Sequence, residues 1–322
     1  MLEQIAPLWP TFDALRKQGE PLVLATLVSA SGSSYKRPGA MLLIEANGRT
    51  HGLISGGCLE ADVADHAEQV FADQQSRTLT YDMSDDSIFG LGAGCDGTLT
   101  LVLQWLHGDY LPLAALNPLP GQAQTSQLKI NDGSQADCPI GAYVLQQGEQ
   151  RLESHPGQLS LAANDPTVLT FRPPPHIVIC GAGIDVYPLV AMLRLLHWHI
   201  EVLDHRPARL AAAELADVTT TQVSLNDLGS RPQQADSAVL IMTHNLSHDA
   251  RYLSHFTVQD VNWIGLLGPQ QRRDKVLSLA QLKPAQTQGR LHAPVGLDIG
   301  GHMPETIAVS IVAQLQHDLV HS

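Results

Sequence analysis

The stretch His176-Ile-Val-Ile-Cys-Gly-Ala-Gly-Ile-Asp-Val186 limits the folds open to this chain more than any other. A short apolar run ends on two glycines one residue apart and passes into a helical pattern, Ile184 to His197. The backbone has to turn tightly at Gly181 and allow close approach at Gly183, and the amides that follow open a helix, whose N-terminus favours an anion. A second apolar run, Ile200 to Asp204, closes on an acidic residue about twenty residues after the glycines, where such a residue commonly binds a ribose hydroxyl. Arg206, two residues on, is placed to meet a phosphate. Strand, glycines, helix, strand and terminal Asp in register predict nucleotide-type binding; the bland alternative is a pair of glycines that only turns the chain. The third glycine of the usual fingerprint is missing, and Val186 stands in its place.

Beyond this turn, helical Ala208 to Leu215 and the apolar runs Ala238 to Thr243 and Val261 to Leu267 continue the alternation, which predicts a doubly wound α/β domain with a parallel sheet. Pro304 and Glu305 suit a helix's first turn, and Ile307, Ile311, Leu315 and Leu319 follow at four-residue spacing as one packed face. Upstream, Pro21 to Val28, Ala40 to Glu45 and Thr98 to Trp105 read as strands, and Leu59, Val63, Ala67, Val70 and Phe71 as the buried stripe of a helix. From Leu111 to about Arg172 the composition shifts to Pro, Gln, Gly and Ser with short β-like stretches. Phe171-Arg-Pro-Pro-Pro175 must be extended, because each proline fixes its own φ and restricts the residue before it. The expected organisation is therefore 1–110 with the cysteine loops, 111–172 as a connecting β-rich segment and Pro linker, and 173–322 as the α/β domain.

A formal charge of −13 excludes general nucleic-acid binding, since no basic run offsets it. Four cysteines, Cys58, Cys95, Cys138 and Cys180, lie far apart without a C-x-x-C pair, and the N-terminus lacks the charged and apolar pattern of a leader; a cytoplasmic setting is expected. The longest early apolar run, Leu22 to Val28, falls far short of the ~20 residues that a membrane span needs, so no membrane association is expected.

Two cysteines sit in glycine-dense loops. Ser55-Gly56-Gly57-Cys58-Leu-Glu60 joins backbone freed to present amides to a thiol at a helix start, where the dipole favours thiolate, although Glu60 and Asp62 oppose that effect. Cys95 lies in Gly92-Ala-Gly-Cys-Asp-Gly97. Two such thiols can share a soft metal or a sulfur, but no spacing rule shows that they meet; the alternative for each is a small packing residue. Cys138 and Cys180 read as packing residues. Ser31 to Arg37 offers hydroxyls and the cations Lys36 and Arg37 for a phosphate, or is a solvated loop. In Thr243-His-Asn-Leu-Ser-His-Asp249, His244 and His248 are spaced for metal ligation but lack a third ligand, so hydrogen bonding at the crevice edge or capping by Asn245 is the better expectation. Arg272 and Arg273, after Gly265-Leu-Leu-Gly268, are further candidate anion contacts.

Taken in order, Gly39-Ala-Met-Leu-Leu43, Ser55-Gly-Gly-Cys-Leu-Glu60, Phe89-Gly-Leu-Gly92 with Gly94-Cys95, Thr243-His244, Ile264-Gly-Leu-Leu-Gly268 and Val295-Gly-Leu-Asp-Ile-Gly300 with Pro304-Glu-Thr-Ile-Ala-Val-Ser310 resemble the XdhC/CoxI family. The resemblance implies a C-terminal Rossmann-like parallel-sheet domain and an N-terminal α+β domain. It implies an accessory factor, more a chaperone than an independent catalyst, that binds the molybdenum cofactor as molybdopterin or a dinucleotide form. Such a factor assists sulfuration of the cofactor and delivers it to an apo molybdenum hydroxylase such as xanthine dehydrogenase. The partners implied are that hydroxylase, a cysteine desulfurase-type sulfur donor and a second copy of the chain. By resemblance Cys58 and Cys95 become the cofactor-contacting thiols, and Gly181, Gly183 and Asp204 the contacts of the nucleotide fold; from their own positions Ser55, Gly56, Gly57, Arg206 and His244 are further candidate cofactor-binding residues, and the two thiols candidate metal ligands. One departure stands out: Gly94-Cys-Asp-Gly97 replaces a compact Cys-Gly-Gly turn, so Asp96 adds bulk and charge beside Cys95. The rival expectation from another class is an NAD(P)-dependent oxidoreductase using Gly181 and Asp204, and a third is a scaffold that joins a sulfur donor to an apo-enzyme.

Overall fold

The computed structural model describes residues 4–32, 36–82, 97–121, 123–162, 165–226, 228, 237–259 and 261–320. The chain divides into two compact units, Met1–Pro174 and Pro175–Ser322, so the division falls within the proline run.

The first unit begins with α1 (Trp9–Gln18), which turns Trp9 and Phe12 inward and stops at Gly19 in the left-handed region. An antiparallel five-stranded sheet follows: β1 (Leu22–Ala30), β2 (Met41–Glu45), β3 (Thr50–Gly52), β4 (Arg77–Asp82) and β5 (Thr98–Leu106), in the order β3-β2-β1-β5-β4. Residues 22–28 are buried without interruption, because β1 is central and covered on both faces. Its side chains divide by the two-residue period of a strand. Leu22, Leu24 and Val28 join one core with Trp9, Phe12, Met41, Leu43, Val102 and Leu106. Val23, Ala25 and Leu27 join another with Leu42, Ile44, Leu101 and Leu103 and with Val63, Ala67 and Val70 of α2 (Glu60–Asp73). The strands β6 (Ser126–Ile130), β7 (Tyr143–Gln147), β8 (Gln150–Glu153) and β9 (Leu169–Phe171) form a second antiparallel sheet, ordered β8-β7-β6-β9. Leu128, Ile130, Tyr143, Leu145, Leu169 and Phe171 share the core of Trp9 and Leu24, so this segment packs as part of the first unit.

The second unit is a six-stranded parallel sheet, β12-β11-β10-β13-β14-β15. Its strands are β10 (His176–Cys180), β11 (His199–Asp204), β12 (Thr219–Gln222), β13 (Ser237–Ile241), β14 (Trp263–Leu266) and β15 (Leu291–His292). The helices are α3 (Val186–Leu195), α4 (Pro207–Leu210), α5 (Leu246–Thr257), α6 (Gln270–Leu279), α7 (Pro284–Thr287) and α8 (Pro304–Val320). Ile177 and Ile179 face a core with α3 and α8; Val178 and Cys180 face the opposite one with α5 and α6. Strand order reverses between β10 and β13, and in open α/β sheets that switch point at the C-terminal strand ends is where a ligand crevice forms. Cys180 is fully buried and Cys138 nearly so, both in apolar clusters, as packing residues. Among the described residues no helix is long and apolar enough to cross a membrane.

Candidate functional site

Cys58 lies on the connection from β3 to α2, two residues before the first residue of the helix. A single oxygen shapes this loop. Ser55 Oγ accepts the amides of Gly57 (3.2 Å), Cys58 (3.1 Å) and Leu59 (3.1 Å), and donates its own proton to Glu60 Oε2 at 2.5 Å. Glu60 Oε1 in turn accepts the amides of Ile54 (3.0 Å) and Ser55 (2.8 Å). Ser55 thereby fixes the three residues that lead into α2, the last of them its N-cap Leu59. Burial pushes the Glu60 carboxyl up, but the Ser55 hydroxyl and the surrounding amides outweigh it and hold the group below its ordinary value.

The consequence is a glycine bulge beside a half-buried cysteine in place of an amide nest. The amides at 57, 58 and 59 are spent on Ser55, which the expectation of an amide cradle had not anticipated. Gly56 and Gly57 are exposed, a Cβ at either would meet only open space, and Gly57 takes a φ of 104°. Cys58 is half-buried, one side against the core of Val63 and Leu101. Cys95 lies outside the described residues, as do Ser33 and Ser34. The residue that closes the Cys95 loop, Gly97, packs against the backbone of Ser31 and Gly32, and Ser31 and Thr98 exchange hydrogen bonds of 2.9 and 3.0 Å. Ser31 and Gly32 are therefore neighbours of Gly97 and Thr98.

In the second unit the glycine turn occupies the C-terminal end of β10. Gly181 has a φ of 113°, donates to Leu203 O at 2.7 Å, and a Cβ there would lie 2.7 Å from Met242 O. Asp204 ends β11 with its carboxylate turned inward and only 2% exposed. It accepts the Ala182 amide at 2.7 Å, the Arg206 amide at 2.8 Å and the Arg206 guanidinium at 2.9 and 2.7 Å. Burial raises that carboxyl, but the Arg206 guanidinium and the two amides win and hold it at about 2. Asp204 thus pins the glycine turn to β11, and Arg206 covers it. Val186, in the place of a third glycine, is fully buried between α3 and the sheet.

Across the switch point, Asp249 is 1% exposed and accepts the Thr243 amide and hydroxyl on Oδ1 and Arg272 on Oδ2, at 3.2 and 2.6 Å from the guanidinium. Asn245 caps α5 by accepting from Ser247 and His248. Between these two anchors His244 adopts a φ of 59° and reaches over to Asp185, Nε2 to Oδ2 at 2.8 Å. His248 packs edge-on to His205 with ring centroids 4.9 Å apart, and burial, His205 and Arg251 lower its pKa. Among the described residues no group of three His, Cys, Asp or Glu is placed to hold a metal. In the second unit the candidate cations face carboxylates: Arg206 meets Asp204, Arg272 meets Asp249 and Arg273 meets Asp274. Sequence reasoning passed over Glu60 and Asp185 as structural partners; each is visible only as an acidic residue beside a glycine motif.

Residues 15–82 match the XdhC and CoxI family, and residues 177–315 match the XdhC Rossmann domain. The chain is 31% identical over 328 residues to a protein of Bacillus subtilis named as a probable xanthine dehydrogenase subunit, with 94% of each covered. It is 25% identical to the molybdenum cofactor insertion chaperone PaoD of Escherichia coli, covering 94% of this chain and 85% of that one. A crystal structure described as a xanthine dehydrogenase from Bacillus halodurans superposes with a TM-score of 0.83 at 30% identity, over 97% of this chain and 95% of that one. With a glycine-bulged thiol loop in one unit and a parallel sheet of this strand order in the other, the chain belongs to the XdhC and CoxI family.

Proposed function

We propose that this chain is a molybdenum cofactor maturation factor that holds the cofactor as cargo and inserts it into an apo hydroxylase of the xanthine dehydrogenase type. The observation that carries the reading is the half-buried Cys58 on an exposed glycine bulge held from beneath by Ser55 and Glu60. The end-to-end similarity to a relative named as a molybdenum cofactor insertion chaperone supports it. A thiolate is a soft ligand suited to a sulfur-bound metal, and a bulge without side chains at two positions leaves room for a bulky cargo to approach. Cys58 supplies the thiol, Gly56 and Gly57 the clearance, and Ser55 the fixed backbone. Cys95 is the second proposed thiol. Sulfuration of the cofactor by a cysteine desulfurase-type donor, action as a homodimer and a cytoplasmic setting that keeps Cys58 reduced belong to the same proposal.

The test is transfer. Full-length chain loaded with molybdenum cofactor is mixed with an apo hydroxylase, and bound cofactor is followed as the fluorescent oxidised pterin. Cys58→Ala is expected to retain its fold and to lose tenfold or more in transfer rate. Equal transfer by the folded variant would sink the role of Cys58, and absence of any pterin on the wild type would sink the reading as a whole.

A further inference from the structure

The glycine turn of the second unit is already filled by the chain's own carboxylate. In dinucleotide folds the second glycine lets the backbone approach the ligand's diphosphate. Here a Cβ at Gly183 would run into Asp185 Oδ1, so the space that this glycine opens is taken by Asp185. Asp185 sits at the N-cap of α3, where an Asp side chain usually accepts helix amides, yet it makes no capping bond. It is turned instead to His244, with its side chain 12% exposed and the imidazole 60% exposed. The residues on either side of His244 are fixed, Thr243 by the Asp249–Arg272 network and Asn245 by capping α5. The two arginines at the switch point, Arg206 and Arg272, are paired with Asp204 and Asp249.

We propose that Asp185, positioned by His244, is a specificity residue that excludes a diphosphate from the glycine turn. A diphosphate dinucleotide such as NAD(P) is then not a ligand of the turn at the C-terminal end of β10. Like charges in a partly desolvated site repel strongly, whereas a carboxylate is a good acceptor for neutral N–H and O–H groups. This inference does not rest on the cargo reading and stands or falls separately from it.

The experiment is equilibrium binding of NAD+ and of ADP to the full-length chain by calorimetry, for wild type, Asp185→Asn, Asp185→Ser and His244→Gln. Serine is a good N-cap and keeps the helix start intact should Asn disturb it. Wild type is expected to show no saturable binding up to on the order of 1 mM, and both Asp185 variants to bind at least tenfold more tightly, about 1.4 kcal/mol. His244→Gln keeps the carboxylate and is expected to gain nothing. Wild-type binding of NAD+ in the tens of micromolar overturns the proposal. So does a failure of both folded Asp185 variants to gain affinity, or a gain by His244→Gln equal to theirs.

Discussion

Ser55 gathers three amides on one oxygen, and that oxygen stays an acceptor because its proton is committed to Glu60. Ser55→Ala strands those amides in a loop whose residues Ile54, Ser55 and Leu59 are buried, and is expected to cost about 2 kcal/mol. Urea unfolding of the variant against wild type measures it, and Glu60→Gln should fall between them: its amide oxygen still takes the Ile54 and Ser55 amides, but its nitrogen cannot accept the Ser55 proton. The glycines and the thiol of this loop were readable from sequence because each has a distinctive local chemistry. The direction of the amides was not readable, because it depends on which acceptor lies beneath them. Asp204 shows the same division. Its place at a strand end follows from spacing, while its engagement with Ala182 and Arg206 follows from how two strands meet.

At the scale of elements, strand runs and helical stripes were legible wherever burial is periodic. The run 22–28 was legible as a buried strand, but its two-sided covering by separate cores was not, because uninterrupted apolarity does not say what lies on either face. The segment 111–172 reads as connecting chain, yet Leu128, Leu145 and Phe171 from it share a core with α1 and β1. Short strands with long-range partners leave only a weak local pattern. The junction of β13, α5 and α6 is tied by one buried carboxylate, Asp249, whose charge Arg272 answers. Gly268 is required there because a Cβ would run into the Arg272 side chain. Arg272→Met leaves a buried carboxylate without its cation and is expected to cost about 3 to 5 kcal/mol. Hydrogen exchange at Thr243 and in α5 should report the loss, and a stability within roughly 1 kcal/mol of wild type would show that the pair does not offset its own burial.

For the whole molecule, acid should loosen the second unit through Asp204. Its carboxyl lies at about 2 against an ordinary 3.8, so the unfolded chain binds the proton first. The stabilisation is complete above the unfolded value and is lost as pH falls from near 4 towards 2, on the order of 2 kcal/mol. Amide exchange at Ala182 across pH 2 to 6, compared with Asp204→Asn, checks this: the two should converge at the acid end, and a constant difference would contradict it. By itself the sequence determined the family, the parallel sheet with its glycine turn and the loop that carries Cys58, because these depend on periodicity, backbone freedom and side-chain type over a few neighbouring residues. Only the tertiary structure decided which groups those motifs would meet. Asp185 turned to His244, Asp204 to Ala182 and Glu60 to Ser55 because hydrogen bonds and charges act across distances in space that spacing along a chain does not record.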